Sequence, residues 1–192
     1  NGNLDSCPVS SLGAYVSLFV RDNSNKLVAL VNKRHEAAFI SPNAWNSVGA
    51  AASTEDTDPL WAVGSKISTK YDIAFNIANI LHEGIMLDTR NNYTLLTGSA
   101  IVSEEQVGGE CSLTPVPVSE LEAFVDQEGG IHNWLPSGLL AICFSLQQIE
   151  NNGSLSNAEE YNAVGSRVWR KALADLEEHP LSDKTTLQNF GL

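Results

Sequence analysis

The stretch AYVSLFVRDNSNKLVALVNKR, residues 14–34, decides the fold class. Ala14 to Val20 alternates and is rich in β-formers, and Leu27 to Val31 is a second short apolar run. Between them, Asp22-Asn23-Ser24-Asn25 gathers residues whose short polar side chains bond nearby backbone and tolerate turn conformations. The pattern predicts a β-hairpin. Upstream, residues 1–12 read as a loose leader. Downstream, Pro42, Gly49, an alanine run and Glu55-Asp56-Thr57-Asp58-Pro59 predict a strand stub over Trp45–Val48 and then an exposed loop.

From about Leu60 to Gly84 the apolar period becomes helical. Ile73, Ala74, Ile77, Ala78, Ile80 and Leu81 fall on one side, Asp72, Asn76, Asn79 and Glu83 on the other, and Gly84 suits a helix stop. Tyr93–Ser103 reads as a strand, and Val116-Pro117-Val118 as a short edge piece, because proline lacks a ladder donor. Ser119 with Glu122 predicts a capping box for a short helix through Val125. Pro136–Ile149 predicts a second strong helix. Asn157 is expected to cap a third helix running to Glu178, with Tyr161, Val164, Val168, Trp169, Leu173 and Leu176 on one face.

Composition narrows the functions. The 192 residues are 43% hydrophobic and 18% charged, with a net charge of −12, so a packed domain is expected and a disordered chain is not. There is no Lys or Arg between Arg90 and Arg167, a stretch that holds ten acids. Such a chain lacks the basic stripe of a duplex nucleic-acid binder, and an anionic membrane surface is disfavoured for the same reason. The longest apolar run, Leu139–Leu146, is too short to span a bilayer. Cys7, Cys111 and Cys143 follow no zinc spacing. Cys143 reads as a small buried hydrophobe, and pairing of Cys7 with Cys111 stays open. Asn92-Tyr93-Thr94 and Asn152-Gly153-Ser154 are glycosylation sequons, so a cytoplasmic and a secreted origin are both open.

Three segments carry a resemblance. Ala14–Arg34 looks like the opening hairpin of the Nudix (MutT-like) family, which ends in basic residues. Trp45-Asn46-Ser47-Val48-Gly49 looks like the lead into that family's signature box. Pro115-Val116-Pro117-Val118-Ser119-Glu120-Leu121 looks like the strand-to-helix segment after it. The resemblance covers roughly residues 12–150. It implies an α/β fold, a Nudix-like α/β/α sandwich on a mixed β-sheet. Residues 13–150 would form the domain, and residues 151–192 a helical extension packed on it or on a partner.

The family's box reads glycine, five residues, glutamate, seven residues, then Arg-Glu-apolar-x-Glu-Glu-x-Gly-apolar. Gly49 and Glu55 fit its opening. With the helix end set on Gly84-Ile85, after an insertion around residues 56–70, Ile77-Ala78 stands for Arg-Glu and Leu81-His82 for Glu-Glu. Shifting by one residue brings His82-Glu83 onto the second pair. In either register most box acids are gone. The family's pyrophosphate hydrolysis is assisted by Mg²⁺, which requires hard oxygen ligands.

The resemblance therefore implies a non-catalytic binding or assembly module that has lost its metal-binding glutamates, with no cofactor expected. The alternative is a divergent Mg²⁺-dependent hydrolase of nucleoside diphosphate derivatives. In that alternative Glu55, Glu83, Glu104 and Glu105 supply the metal ligands and Lys33 or Arg34 grips a phosphate. Glu55, Glu83 and His82 are the catalytic candidates. Each residue has a plainer reading. The Asp72–Glu83 stripe is the solvated side of a helix, Glu55–Asp58 a polar loop before a helix, Lys33-Arg34-His35 an exposed strand end, and Trp45, Trp61, Trp134 and Trp169 core packing. Val164, Val168, Leu173 and Leu176 form the expected docking face, either onto the chain's own domain or onto a second copy, and the partners left open are a second protein, a second copy and a small nucleotide-like ligand.

Overall fold

A computed structural model describes residues 11–38, 41–51, 58–88, 93–149 and 157–180. Strand β1 (Ser11–Arg21) is the axis of the molecule. It turns through Asp22, whose Oδ1 accepts from the backbone N–H of Ser24 and Lys26, into antiparallel β2 (Leu27–Lys33). Asn25 takes the left-handed φ of 61° that such a turn needs. The expected hairpin is therefore present. The stub beyond it splits into β3 (Trp45–Asn46), which pairs with β2, and β4 (Val48–Ala51), which pairs with β1.

Strand β5 (Leu81–Asp88) pairs antiparallel with β6 (Tyr93–Ser103), and β6 runs parallel to β1 along its whole length, Ser11 opposite Tyr93 and Arg21 opposite Ser103. Strand β7 (Thr114–Pro117) pairs with β2. The mixed sheet has the order β3-β2-β1-β6-β5, with β4 on β1 and β7 on β2.

Side-chain alternation divides β1 between two cores. Ala14, Val16, Leu18 and Val20 face helix α1 (Pro59–Lys70) and meet Leu60, Val63 and Ile67. Tyr15 and Phe19 face the opposite layer, built from α2 (Leu121–Gln127), α3 (Pro136–Gln148) and α4 (Ala158–Glu178). This is the expected α/β/α sandwich with a C-terminal helix. The last helix is part of the core rather than an appendage. Tyr161, Val164, Val168 and Ala172 are buried with Ile142, Cys143 and Leu146, and the Leu27 N–H donates to Tyr161 Oη at 3.1 Å.

The helix expected over Leu60–Gly84 is much shorter. Asp58 caps it, its Oδ1 accepting from Leu60 N–H, with Pro59 in the first turn, and it stops at Lys70. Asp72 then takes a φ of 51°. Its carbonyl accepts from Gly108 N–H at 2.7 Å and its carboxylate from Glu110 N–H at 3.2 Å. These long-range bonds hold a left-handed residue where the helix would have continued. Ile73 and Ile80 are still buried against the α1 core, but from irregular backbone. That is why their spacing imitated a helix.

Two smaller expectations also fail, and a third, the Asn157 cap, holds in position but without its side-chain bond. A single 3-10 turn, Val118–Glu120, leads into α2, and the N-cap is Glu120 without a side-chain bond, so the Ser119–Glu122 box does not form; Glu122 pairs with Arg167 instead. Trp61 lies on the outer face of α1, 54% exposed, whereas Trp45 and Trp134 are core. Cys111 and Cys143 carry free thiols, and burial pushes the Cys143 thiol up to about 12. Cys7, Glu55, Asn92 and Asn152 lie outside the described residues.

Candidate functional site

The short α1 changes the reading of the box. Counted from Gly49 without an insertion, Glu55 is followed by seven residues and the Arg-Glu-apolar-x-Glu-Glu stretch falls on Val63-Gly64-Ser65-Lys66-Ile67-Ser68. These residues lie on the helix that follows β4. The earlier register, with Ile77-Ala78 and Leu81-His82 as box residues, places them on a 3-10 turn and a strand instead. Helix α1 reads PLWAVGSKISTK and contains no carboxylate. Val63 and Ile67, at two of the box positions, are fully buried in the core.

What α1 presents instead is cationic. Lys66 Nζ donates to the Gly49 carbonyl of β4 at 3.3 Å. One turn on, Lys70 Nζ stands 5.0 Å from the centroid of the Tyr71 ring. Partial burial, then the charges of Lys70 and Arg34, hold the Lys66 ammonium below the usual lysine range.

Strand alternation separates the two expected phosphate ligands. Lys33 points to the α3 side with Leu27, Ala29 and Val31, stands 4.9 Å over the Trp45 ring and reaches Glu128 Oε2 at 3.9 Å. Arg34 follows the end of β2 and donates its backbone N–H to the Ala44 carbonyl at 2.9 Å.

The metal candidates are scattered. Glu83 and His82 sit on β5, where His82 pairs with Gly98 and the ladder bulges before Gly84. Glu104 and Glu105 follow the far end of β6, and Glu104 accepts from Asn23 Nδ2 at 2.7 Å. Gly98 and Glu104 are six residue steps apart along β6 and its end, roughly 20 Å at the usual rise. Among the described residues no three His, Cys, Asp or Glu side chains come together. Mg²⁺ takes an octahedron of oxygens at roughly 2.1 Å and gains affinity from clustered carboxylates. Among the described residues the candidates Glu83, Glu104 and Glu105 do not supply such a cluster, and Glu55 lies outside them.

Glu83 is instead half-buried between β5 and α3. Two serines of neighbouring strands, Ser17 and Ser99, are opposite each other in register and buried, and Ser145 of α3 covers them. Ser145 Oγ donates to Glu83 Oε2 at 2.6 Å, while Glu83 Oε1, Ser17 Oγ and Ser99 Oγ are buried without a partner of good geometry. Burial raises the Glu83 carboxyl above its ordinary range; the Ser145 and Ser99 hydroxyls oppose the shift without cancelling it.

A carboxyl raised on folding contributes stability that is complete below its unfolded pKa and is lost as pH rises through the folded value. Glu83→Gln should therefore match the parent in Tm at about pH 4 and exceed it by a few degrees at about pH 8. Equal melting temperatures at both pH values in a thermal scan would contradict this.

Sequence comparison finds no matching family model and no matching curated relative. Comparison of structures finds similar chains. One is the NUDIX domain of Shewanella oneidensis NrtR complexed with ADP ribose, at 17% identity and TM-score 0.48, covering 63% of this chain and 81% of that one. A second is a MutT/nudix family protein from Enterococcus faecalis, at 12% identity and TM-score 0.44, covering 82% and 80%. A third is the C-terminal domain of mouse MUTYH in complex with human PCNA, at 9% identity and TM-score 0.48, covering 58% and 75%. The likeness is one of architecture. At these identities no residue role passes from those proteins to this chain. Among the described residues no helix is long and apolar enough to cross a membrane.

Proposed function

We propose that this chain is a non-catalytic binding module on a Nudix-like scaffold. The observation that supports this reading is α1. The helix that follows the Gly49 strand and loop carries Lys66 and Lys70 and no acid. Metal-assisted cleavage of a phosphoanhydride needs divalent ions to offset phosphate charge and to activate water. A helix bearing two ammonium groups repels those ions. Glu83 is committed to Ser145, and Glu104 to the hairpin turn.

The assembly half of the reading draws on less. Of the expected docking face, Val164 and Val168 are buried against the chain's own α3 layer, the own-domain alternative, while Leu173 is exposed.

The test is a panel of nucleoside diphosphate derivatives incubated with Mg²⁺ or Mn²⁺ and assayed for phosphate-containing products. No turnover above the buffer rate is expected. Turnover that disappears in Glu55→Gln or Glu83→Gln would overturn the non-catalytic reading in favour of the divergent hydrolase.

A further inference from the structure

We propose that β5 is a self-association edge, along which two copies of this chain pair Gly84–Asp88 antiparallel about a two-fold axis at Met86 and join their sheets into one. The inference goes beyond the non-catalytic reading and stands whichever way the turnover assay falls.

Strand β5 ends the sheet. Among the described residues it pairs with β6 alone, so its outer row of backbone N–H and C=O groups meets no other strand along eight residues. Natural sheets blunt such rows with short strands, prolines, lysines or bulges. The other end of this sheet uses two of these devices: β3 is two residues long, and β7 carries Pro115 and Pro117. Strand β5 reads LHEGIMLD, without proline, lysine or arginine, and its bulge at His82–Gly84 leaves Gly84–Asp88 regular.

The side chains of that regular stretch are apolar and bare. Ile85 and Leu87 stand opposite Leu96 and Thr94 of β6, which stand opposite Ala14 and Leu12 of β1, so the row lies on the α1 side of the sheet. Helix α1 leaves it uncovered: Ile85 is 70% exposed, Leu87 69% and Leu12 41%.

A second copy fits this edge by its own sequence. Directly opposed residues of an antiparallel pair share a face. An axis at Met86 sets Ile85 against Leu87 of the second copy, twice, and Gly84 against Asp88, so apolar side chains pair and no like charges meet. An axis at Ile85 would set Leu87 against Glu83, at the bulge. Standard interfaces bury about 800 Å² per partner over about 20–30 residues. An edge of eight residues with its flanks reaches roughly half of that area, which sets a weak, reversible dimer with Kd in the micromolar range or above.

The experiment is sedimentation of the full chain from micromolar to millimolar concentration, repeated for Ile85→Lys, Leu87→Lys and Leu173→Lys. All three side chains are exposed, so the variants keep the fold, which circular dichroism checks. Leu173 lies on α4, in the layer on the opposite side of the sheet, and is the control. Average mass is expected to rise toward two chains with concentration, and further with added salt, which screens two chains of net charge −12 from each other. Either β5 lysine is expected to weaken the dimer about tenfold or more, because the two-fold axis removes each contact twice. Backbone amides of Gly84–Asp88 are expected to exchange more slowly as concentration rises. A chain that stays monomeric throughout overturns the proposal, including when another protein's strand takes the edge. So does a dimer that both β5 lysines leave unchanged, a dimer that salt dissolves, or amide protection independent of concentration, as cover from within the chain would give.

Discussion

Gly165→Leu is expected to unseat the C-terminal helix and to cost about 3 kcal/mol. Helices α3 and α4 cross with their backbones nearly touching. A Cβ at Gly165 would lie 2.7 Å from the Cys143 carbonyl oxygen and 3.0 Å from Leu146 Cβ. The first of these is backbone inside a helix and cannot swing away, so α4 must move as a body. Moving it exposes Tyr161, Val164, Val168 and Ala172, which are buried in the same cluster as Ile142 and Leu146. It also strains the Leu27 N–H to Tyr161 Oη bond that ties α4 to the first residue of β2.

Against a typical folding stability of about 5–15 kcal/mol, such a loss is large. Urea unfolding followed by circular dichroism should show a clear fall in midpoint. Ala163→Leu, on the exposed side of α4, is the control and should change little. An unshifted midpoint for the Gly165 variant would mean that the two helices are not in contact there.

Trp45→Ala should be of similar or greater size, about 3–5 kcal/mol. Trp45 is buried at the junction of β3 with the helical layer, edge-on to Phe124 at 5.0 Å between centroids and tilted against Trp134 at 6.3 Å. Its Nε1 donates to Glu128 Oε2 at 2.9 Å, and the Lys33 ammonium covers its face. Truncation leaves a cavity between β3, α2 and the segment before α3. Trp45→Phe keeps the packing and loses the indole donor, so it should cost far less, about 1 kcal/mol for one hydrogen bond. Equal losses for the two variants in chemical denaturation would assign the effect to the Glu128 bond and refute the packing argument.

Part of this site was legible in the residues and part was not. Gly49 followed at the sixth position by Glu55 marks the opening of the box, and Asp58-Pro59 is a readable helix start, with a capping carboxylate and a proline in the first turn. Under the resemblance they imply a register in which Val63–Ser68 stand at the box positions. The run of isoleucines at 73, 77 and 80 masked this, because apolar spacing does not separate a helix from irregular backbone that fills the same core. The bond from Lys66 to the Gly49 carbonyl left no local trace, since the two residues lie 17 positions apart, on different elements.

Local chemistry, then, settled the hairpin, strand β6 and helices α3 and α4, while the layered class of fold came from the family resemblance. Alternation, turn residues and helical period act over a few neighbours and are written in consecutive residues. Tertiary structure alone decided where α1 ends, that Leu81–Asp88 becomes a strand, and that Glu83 turns to Ser145. Those outcomes depend on Gly108 and Glu110 bonding Asp72 and on β6 offering an edge to β5. Their partners lie far along the chain, and their free energies outweigh the local preference for continuing a helix.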